Sequence, residues 1–437
     1  MAVENRQKSA EVARRSVEQE IGSGVSLPGE EEDLVLSGVL DSMGWVGVLT
    51  VIEAATGIHN FGNPWPAGRP QSIRTLAEAI VEGFAQLTPG SANRAGIRAA
   101  GRGAIVSVAG WGHALGSRLI DAAEIETICC LAPGTIRDRA GIESVRQAGD
   151  REDEVTLAQQ AAEAALEKAG LDIPDVDLLV ATSTTFLRLP SLAATLHARL
   201  LLPESSGAFD VGGACVGVVH ALATAKALLA GGSLRNALVV AADLPSRRLA
   251  SSSAPGEFRG LFGDGACAFV LSRSEPVGSD GTAGRCWRLG NFVWGCAGEF
   301  AASLRLEIPQ TPALQVEFQG EPLARAALRQ LERLVENLEA LTGKPRSEVA
   351  YFALHEPNPR VVEILSRNCG IPLENMLPIS RTCGNLGAAT CGVNLCAALE
   401  KVDASPAPPS GSSAPVVFVA AVGPGMLFGG TWVERLE

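Results

Sequence analysis

Residues 209–232 read FDVGGACVGVVHALATAKALLAGG, and this segment decides the fold. Its first residues have the pattern of a strand, and the apolar residues that follow keep helical spacing up to a closing pair of glycines. Cys215 therefore lies where a strand ends and a helix begins. A thiol at a helix start faces the positive end of the helix dipole, which lowers the thiol pKa and favours the thiolate. The position predicts a nucleophile, although cysteine is also common at strand ends as a buried packing residue.

The segment belongs to a region of alternating strands and helices that starts at residue 104. Apolar runs predict buried strands, and amphipathic runs that end at glycine predict helices. The strands are expected at 104–113, 176–185, 237–246, 348–357 and, as the terminal strand, 414–425, and the helices at 154–170, 214–232, 321–343 and 359–370. These units form two blocks, about 104–275 and 285–437, which predicts an α/β fold of two similar halves with parallel-rich sheets.

The charge and cysteine content exclude several classes of function. The chain has 437 residues and a net charge of −12, whereas a nucleic-acid face needs clustered Lys and Arg. No apolar run reaches the length of a membrane helix or has the form of a signal peptide, so a cytoplasmic protein without membrane contact is expected. The ten Cys and five His residues do not have the spacing of metal ligands, and no metal is expected.

The N-terminal part differs from the rest in both charge and pattern. Residues 1–86 hold twelve Asp or Glu against six Lys or Arg, and helical spacing is expected at 8–22, after residue 42 and at 72–87. We predict a small all-α helical bundle over 1–86. Residues 87–103 are rich in Gly, Ala and Pro and contain no carboxylate, which predicts a flexible linker.

One stretch of this bundle resembles the acyl carrier proteins. Residues 36–58 read LSGVLDSMGWVGVLTVIEAATGI, and Asp41-Ser42-Met43 is similar to the triplet that opens the second helix of a carrier. The resemblance implies that a phosphopantetheinyl transferase attaches 4′-phosphopantetheine to Ser42. A hydroxyl at a helix start suits an incoming phosphodiester, although Asp and Ser are also common helix caps.

The larger part resembles ketoacyl-acyl-carrier-protein synthase III, a branch of the thiolase superfamily. The resemblance rests on the segment around Cys215, on FGDGACAFVL at 262–271, on FALHEPNPR with His355 and Asn358, on RTCGNLGAAT with Asn385, and on GPGMLFGG at 423–430. It implies the five-layer thiolase fold, a homodimer and a Cys-His-Asn active site of Cys215, His355 and Asn385. It also implies an oxyanion hole made by the backbone N–H groups of Cys215 and Gly425.

Two features concern the thioester substrates. Aligning Arg139-Ala140-Gly141-Ile142 with the family places Thr135 where many members have a tryptophan that stacks on the adenine of CoA, so CoA as acyl donor is open and carrier thioesters are the expected substrates. Arg360 matches a carrier-docking arginine, and Arg367 lies on the same predicted helix. Basic residues there would suit an acidic carrier.

Three functions remain open at this point. The intact Cys-His-Asn set favours decarboxylative condensation of an acyl group with a malonyl-type thioester, in fatty-acid or polyketide biosynthesis. The alternatives are acyl transfer without decarboxylation, to an amine, alcohol or second carrier, and a non-catalytic subunit that docks an acyl carrier. We expect the acyl chain to lie near Leu187, Leu189, Phe262 and Met426.

Overall fold

A computed structural model describes residues 2–21, 29–30, 32–35, 40, 42–56, 71–86, 104–274, 286–307, 315–318, 320–406 and 413–436. The predicted linker at 87–103 lies entirely outside these residues. The chain divides into two compact units, one of Met1–Ile97 with Gln319–Arg329 and the other of Arg98–Phe318 with Gln330–Glu437. Among the described residues no helix is both long and apolar enough to cross a membrane.

The first unit contains three helices at its N-terminal end: α1 (Ala2–Ile21), α2 (Ser42–Thr56) and α3 (Ile73–Gln86). Helix α1 contacts both of the others, and apolar side chains of all three form one buried core that includes Val17, Trp45, Leu49 and Ile80. The helices agree with the prediction, except that α1 begins well before residue 8.

The second unit contains most of the secondary structure. Its strands are β1 (Ile105–Leu115), β2 (Arg118–Asp121), β3 (Ser144–Gln147), β4 (Leu178–Thr182), β5 (Gly207–Asp210), β6 (Asn236–Asp243), β7 (Gly265–Ser274), β8 (Cys286–Leu289), β9 (Val293–Cys296), β10 (Leu304–Glu307), β11 (Gln315–Phe318), β12 (Tyr351–Leu354), β13 (Val416–Gly423) and β14 (Leu427–Leu436). Its helices are α4 (Ala122–Ile128), α5 (Glu154–Ala169), α6 (Leu192–Leu200), α7 (Gly217–Ala230), α8 (Pro245–Ala250), α9 (Gly256–Arg259), α11 (Pro359–Cys369), α12 (Ser380–Cys383) and α13 (Thr390–Ala404), while α10 (Gly320–Thr342) runs from the first unit into the second.

The main sheet has the strand order β12-β13-β14-β8-β1-β7-β6-β4-β5, with β9 paired to β14. Among the described strands of this sheet, only the pairs β12–β13, β6–β4 and β4–β5 are parallel, so the sheet is not parallel-rich as predicted. The chain also ends in β14, an antiparallel partner of β13, which the prediction of a terminal strand at 414–425 missed.

Helices lie between the two halves of the sheet and also outside the first half, which gives the layered α/β arrangement that the resemblance implies. Side chains of α7 and α13 share one core with strands of both halves, including Val239 of β6 and Val419 of β13. The alternate residues of β6, such as Val240, face a second core with α5 and α6. Because helices cover both faces, these strands are buried on both sides, and their apolar runs do not reveal strand direction.

Candidate active site

Cys215 lies in a short 3₁₀ turn, Ala214–Val216, between β5 and α7, as its sequence context predicts. The residue before it, Ala214, has a φ of 48° and Gly213 has a φ of 147°, so the chain bends sharply here. The end of β13 approaches closely, because a Cβ built on Gly423 would lie 3.3 Å from both the Cβ and the N of Cys215. The absence of a side chain at Gly423 permits this approach.

His355 follows the last residue of β12 and is buried. Its backbone N–H donates to the carbonyl of Ala420 on β13 over 2.8 Å, and its Nδ1 has no hydrogen-bond partner among the described residues. Burial lowers the pKa of His355 to about 4. The imidazole is therefore neutral near pH 7, with one N–H to donate.

Asn385 lies in the turn between α12 and α13 and is also buried. Its Oδ1 accepts hydrogen bonds from the backbone N–H of Gly387 at 3.0 Å and from Oγ1 of Thr390 at 3.1 Å. Its backbone N–H donates to the carbonyl of Leu261 over 2.8 Å. No described residue accepts from Nδ2, so the fold uses the acceptor of this amide and leaves its donors for another molecule.

The three segments meet at the carboxyl end of β13. The turn of Cys215 contacts β13 and the 3₁₀ turn Gly387–Ala389 that follows Asn385, while His355 is bonded to β13 itself. Gly425 lies two residues past the strand with a φ of 79°. One nucleophile and two hydrogen-bond donors on adjoining segments can bind a thioester and stabilise charge on its oxygen.

Comparisons with known proteins agree with this arrangement. The profile of 3-oxoacyl-[acyl-carrier-protein] synthase III matches residues 209–284, and that of its C-terminal part matches 340–435. The β-ketoacyl-[acyl-carrier-protein] synthase III of Ruegeria sp. (strain TM1040) is 30% identical over 333 residues, covering 74% of this chain and 96% of the relative. That of Rhizobium meliloti is 32% identical over 305 residues, covering 67% and 89%.

This chain belongs to the β-ketoacyl-[acyl-carrier-protein] synthase III family. It is therefore a transferase and a condensing enzyme, as predicted. The fold of the family is seen in 3-oxoacyl-[acyl-carrier-protein] synthase III of Aquifex aeolicus VF5, with a TM-score of 0.65, 24% identity and coverage of 75% of this chain and 99% of the other. The priming β-ketosynthase of the R1128 polyketide pathway gives the same TM-score of 0.65 and identity of 24%, with coverage of 78% and 98%.

The thiol pKa of the predicted nucleophile, Cys215, differs from the prediction. Burial raises the pKa of the Cys215 thiol to about 12, and the nearby carboxylate of Asp243 adds to the rise. The prediction of a lowered pKa considered only the helix start. The burial of the site opposes the thiolate more strongly than the dipole of α7 favours it.

The two predicted docking arginines both lie on α11, but their surroundings differ. Arg360 is in the first turn and contacts Glu363 at 3.3 Å, and Glu363 also contacts Arg381 at 3.3 Å. Arg367 is exposed in the last turn of α11. The positive charge of Arg360 is therefore partly balanced within its own helix.

The residue in the expected tryptophan position, Thr135, begins a π-helical turn, Thr135–Ala140. The buried carboxylate of Glu126 holds this turn, since it accepts from the N–H groups of Gly134 at 2.9 Å and Ile136 at 2.8 Å. Asn358 of the His-x-x-Asn element likewise has a local role, because its Oδ1 accepts from Val361 N and caps α11.

The other predicted residues differ in where they lie, and Phe262 adjoins the site through a β-bridge with Asn385. Ser42 begins α2 in the first unit, and its side chain is outside the described residues. Leu187 and Leu189 are 49% and 92% exposed, so in a single chain they do not enclose an acyl tunnel. Phe262 packs against Phe258, and Met426 is buried beside Gly425. The described residues contain no cluster of three or more metal-ligating side chains.

Two buried carboxylates that contact the segments on either side of Asn385 were not predicted from the sequence. Asp243 ends β6 and accepts from Thr184 N at 2.6 Å and Ala388 N at 2.7 Å, so it ties the Asn385 turn to the loop after β4. Glu356 follows His355 directly and is 1% exposed. Each lies at or just after the end of an apolar run. That pattern predicts the end of a strand, but it does not predict which groups donate hydrogen bonds to the carboxylate.

Proposed function

We propose that this chain condenses an acyl group, held on Cys215, with a malonyl-type thioester in a decarboxylative Claisen reaction of fatty-acid or polyketide type. The observation that carries the proposal is the meeting of Cys215, His355 and Asn385 at the end of β13. The free Nδ2 of Asn385 and the neutral imidazole of His355 supply donors where the reaction develops negative charge.

In the first step Cys215 attacks the carbonyl of an acyl thioester. The sulfur forms a new thioester to the acyl carbon, and the donor thiol leaves with the proton that Cys215 gives up. Because burial raises the pKa of Cys215, the proton moves as the attack proceeds and no stable thiolate is needed beforehand. The backbone N–H groups of Cys215 and Gly425 would bind the oxyanion of this step.

In the second step His355 and Asn385 bind the thioester oxygen of the malonyl-type substrate. Loss of CO₂ leaves the electron pair in an enolate, whose oxygen accepts their two hydrogen bonds. The enolate carbon then attacks the acyl group on Cys215, which forms a β-ketoacyl thioester and releases the sulfur as a thiolate. The thiolate takes up a proton from solvent and returns to the thiol. A neutral His355 suits this role because it donates without needing to be charged.

The N-terminal helices would carry a substrate or product of this reaction. Ser42 fits 4′-phosphopantetheine in one respect, since it is the first residue of a 15-residue helix whose N-terminus favours a phosphodiester. When attached by a phosphopantetheinyl transferase, this arm supplies a terminal thiol for thioester cargo. Arg360 and Arg367 would contact carriers, and carrier thioesters are favoured over CoA as donors because Thr135 offers no stacking surface.

The carrier assignment can be tested by mass spectrometry. The full chain is treated with a phosphopantetheinyl transferase and CoA, with Ser42→Ala as the control, and the peptide of residue 42 is measured. We expect the mass of the arm on wild-type protein and none on the variant. Unmodified Ser42 under conditions that modify an added acyl carrier protein would refute the carrier role and leave the condensing reaction intact.

A further inference from the structure

Glu356 is a buried carboxylate beside a predicted catalytic side chain. It lies two residues past β12, directly after His355, and is 1% exposed. No Lys or Arg among the residues that the structure describes forms an ion pair with it. A buried carboxylate without an ion pair is costly unless hydrogen bonds compensate. The groups that donate hydrogen bonds to Glu356 therefore indicate its role.

The hydrogen bonds of Glu356 reach both flanks of the Asn385 turn. Before the turn, Ile379 N donates to Oε1 and Ser380 Oγ donates to Oε2, each over 2.8 Å. After the turn, Nδ2 of Asn394 on α13 donates to Oε1 over 2.7 Å. One side chain thus holds the start of α12 and the first turns of α13, the two elements between which Asn385 lies.

The side-chain amide of Asn394 also anchors the residue before His355. Nδ2 of Asn394 donates to the carbonyl of Leu354 over 2.8 Å, so the residues before and after His355 are both anchored to α13. We propose that Glu356 is a positioning residue that keeps His355 in register with the Asn385 turn, and that its ionised form does this best. The proposal rests on the condensing function proposed above, because that function gives His355 and Asn385 a shared substrate oxygen.

The charge state of Glu356 changes in the neutral range. Burial raises the pKa of Glu356 to about 7, against the opposing effect of its hydrogen bonds to Asn394 and Ser380. Of the titratable groups on α12 and α13, Cys383 and Cys391 interact electrostatically with Glu356. His355 adjoins it in sequence, and Arg381 on α12 is directed to Glu143 and Glu363. Helix α13 also carries Cys396, Glu400, Lys401 and Asp403 further along. When Oε2 is protonated, its bond with Ser380 Oγ can reverse, and the bonds from Ile379 N and Asn394 Nδ2 to Oε1 are then made to a neutral acid. Acidification therefore weakens these bonds, because hydrogen bonds to a charged oxygen are about twice as strong as those to a neutral one.

The test compares wild-type full chain with Glu356→Gln and with Glu374→Gln, the same change at an exposed position. The Gln side chain in Glu356→Gln has the same shape as the protonated form of Glu356. Two quantities are measured across about pH 5.5–8.5: the condensing rate, and hydrogen exchange of the peptide 380–390 corrected for intrinsic rates. Replacing a charged acceptor by a neutral one weakens these bonds, which predicts about tenfold faster exchange in Glu356→Gln and in acidified wild-type protein.

We expect the wild-type condensing rate to rise through an inflection near pH 7, and Glu356→Gln to stay at the low-pH level, with Cys215 acylation within about twofold of wild type. An unchanged pH profile and unchanged exchange in Glu356→Gln would overturn the proposal, as would an equal loss of acylation and condensation. If Glu356→Gln does not fold, the pH profiles of the condensing rate and of hydrogen exchange in wild-type protein still test the proposal. If wild-type protein does not condense at all, the proposed function fails, and hydrogen exchange still tests the positioning role.

Discussion

At the residue scale, the three predicted catalytic side chains differ in how much of their hydrogen bonding the fold already uses. Oδ1 of Asn385 is occupied by Gly387 N and Thr390 Oγ1, whereas its Nδ2 is unused within the described residues. The Oδ1 and Nδ2 atoms of this amide therefore have different roles. One end holds the turn, and the other is available for substrate.

This division predicts the effect of Asn385→Asp. The carboxylate keeps both acceptor bonds and the shape of the turn, but it removes the N–H donors and places a negative charge beside the forming enolate. We expect Cys215 acylation to persist while condensation falls by about 10²- to 10³-fold or more. Single-turnover acylation and product formation, measured separately, check this. Equal loss of both steps would show that Asn385 acts only on the structure.

The raised pKa of Cys215 predicts the pH dependence of its alkylation in the substrate-free protein. With the pKa at about 12, the thiolate fraction increases about tenfold per pH unit throughout the neutral and mildly alkaline range. Iodoacetamide labelling of the Cys215 peptide should therefore keep accelerating beyond pH 9. A plateau near neutral pH would instead show that the dipole of α7 controls the thiol.

Sequence predicted these residues but not the groups that hold them. Cys215 and His355 stand at the ends of apolar runs, where pattern alone marks a strand end. The donors to Asp243 and Glu356 come from distant parts of the chain, with Ala388 and Asp243 separated by 145 positions. Such pairings depend on tertiary packing, which local pattern does not encode.

At the scale of elements, the Asn385 turn depends on a glycine that has no space for a side chain. Gly387 has a φ of 60°, and a Cβ there would lie 2.2 Å from Oδ2 of Asp243. Since that carboxylate also accepts from Ala388 N, displacing it would disturb the turn from two sides.

Gly387→Ala is therefore expected to destabilise the protein and to abolish condensation. The matched control is Gly170→Ala at the end of α5, where φ is 64° and nothing lies within 4 Å. The control should show only the strain of a positive φ, about 1–2 kcal/mol. Gly387→Ala should lose about 1–3 kcal/mol more through overpacking. Denaturant unfolding compares them, and equal losses for the two variants would count against a tightly fitted turn.

Strand direction was the element-scale feature that sequence predicted wrongly. The residues of β6 are apolar on both faces because α7 lies on one side and α5 on the other, and this pattern is typical of parallel sheets. In this protein β7, antiparallel to β6, has the same pattern. The glycines of GPGMLFGG similarly concealed β14, which continues the sheet through Leu427–Leu436.

At the scale of the whole molecule, the sheet ends in an exposed edge. All four residues of β5 are exposed, and within the described part of the chain they pair only with β4. Phe209 on this strand is 37% exposed. Leu189 and Leu201, which flank α6, are 92% and 82% exposed. An open apolar edge usually pairs with another strand or is covered, and a second copy of this chain is the partner we propose.

The double change Phe209→Lys with Leu189→Lys should therefore shift the protein from dimer to monomer, because charge would be buried in the interface. Leu373→Lys, at a position 37% exposed on another surface, is the control and should remain dimeric. Analytical ultracentrifugation measures the mass in solution. A wild-type protein that is monomeric at micromolar concentration would contradict the dimer.

Decarboxylative condensation on Cys215 releases CO₂ and a β-ketoacyl thioester together, and both can be measured in one reaction. The full chain is supplied with an acyl thioester and a malonyl thioester labelled in its free carboxyl carbon, and labelled CO₂ and β-ketoacyl product are quantified together, with Cys215→Ala as the control. We expect equal amounts of both products from wild-type protein and no β-ketoacyl product from the variant. Transfer of the acyl group with the labelled malonyl group left intact would contradict it and would make the enzyme an acyltransferase without condensation.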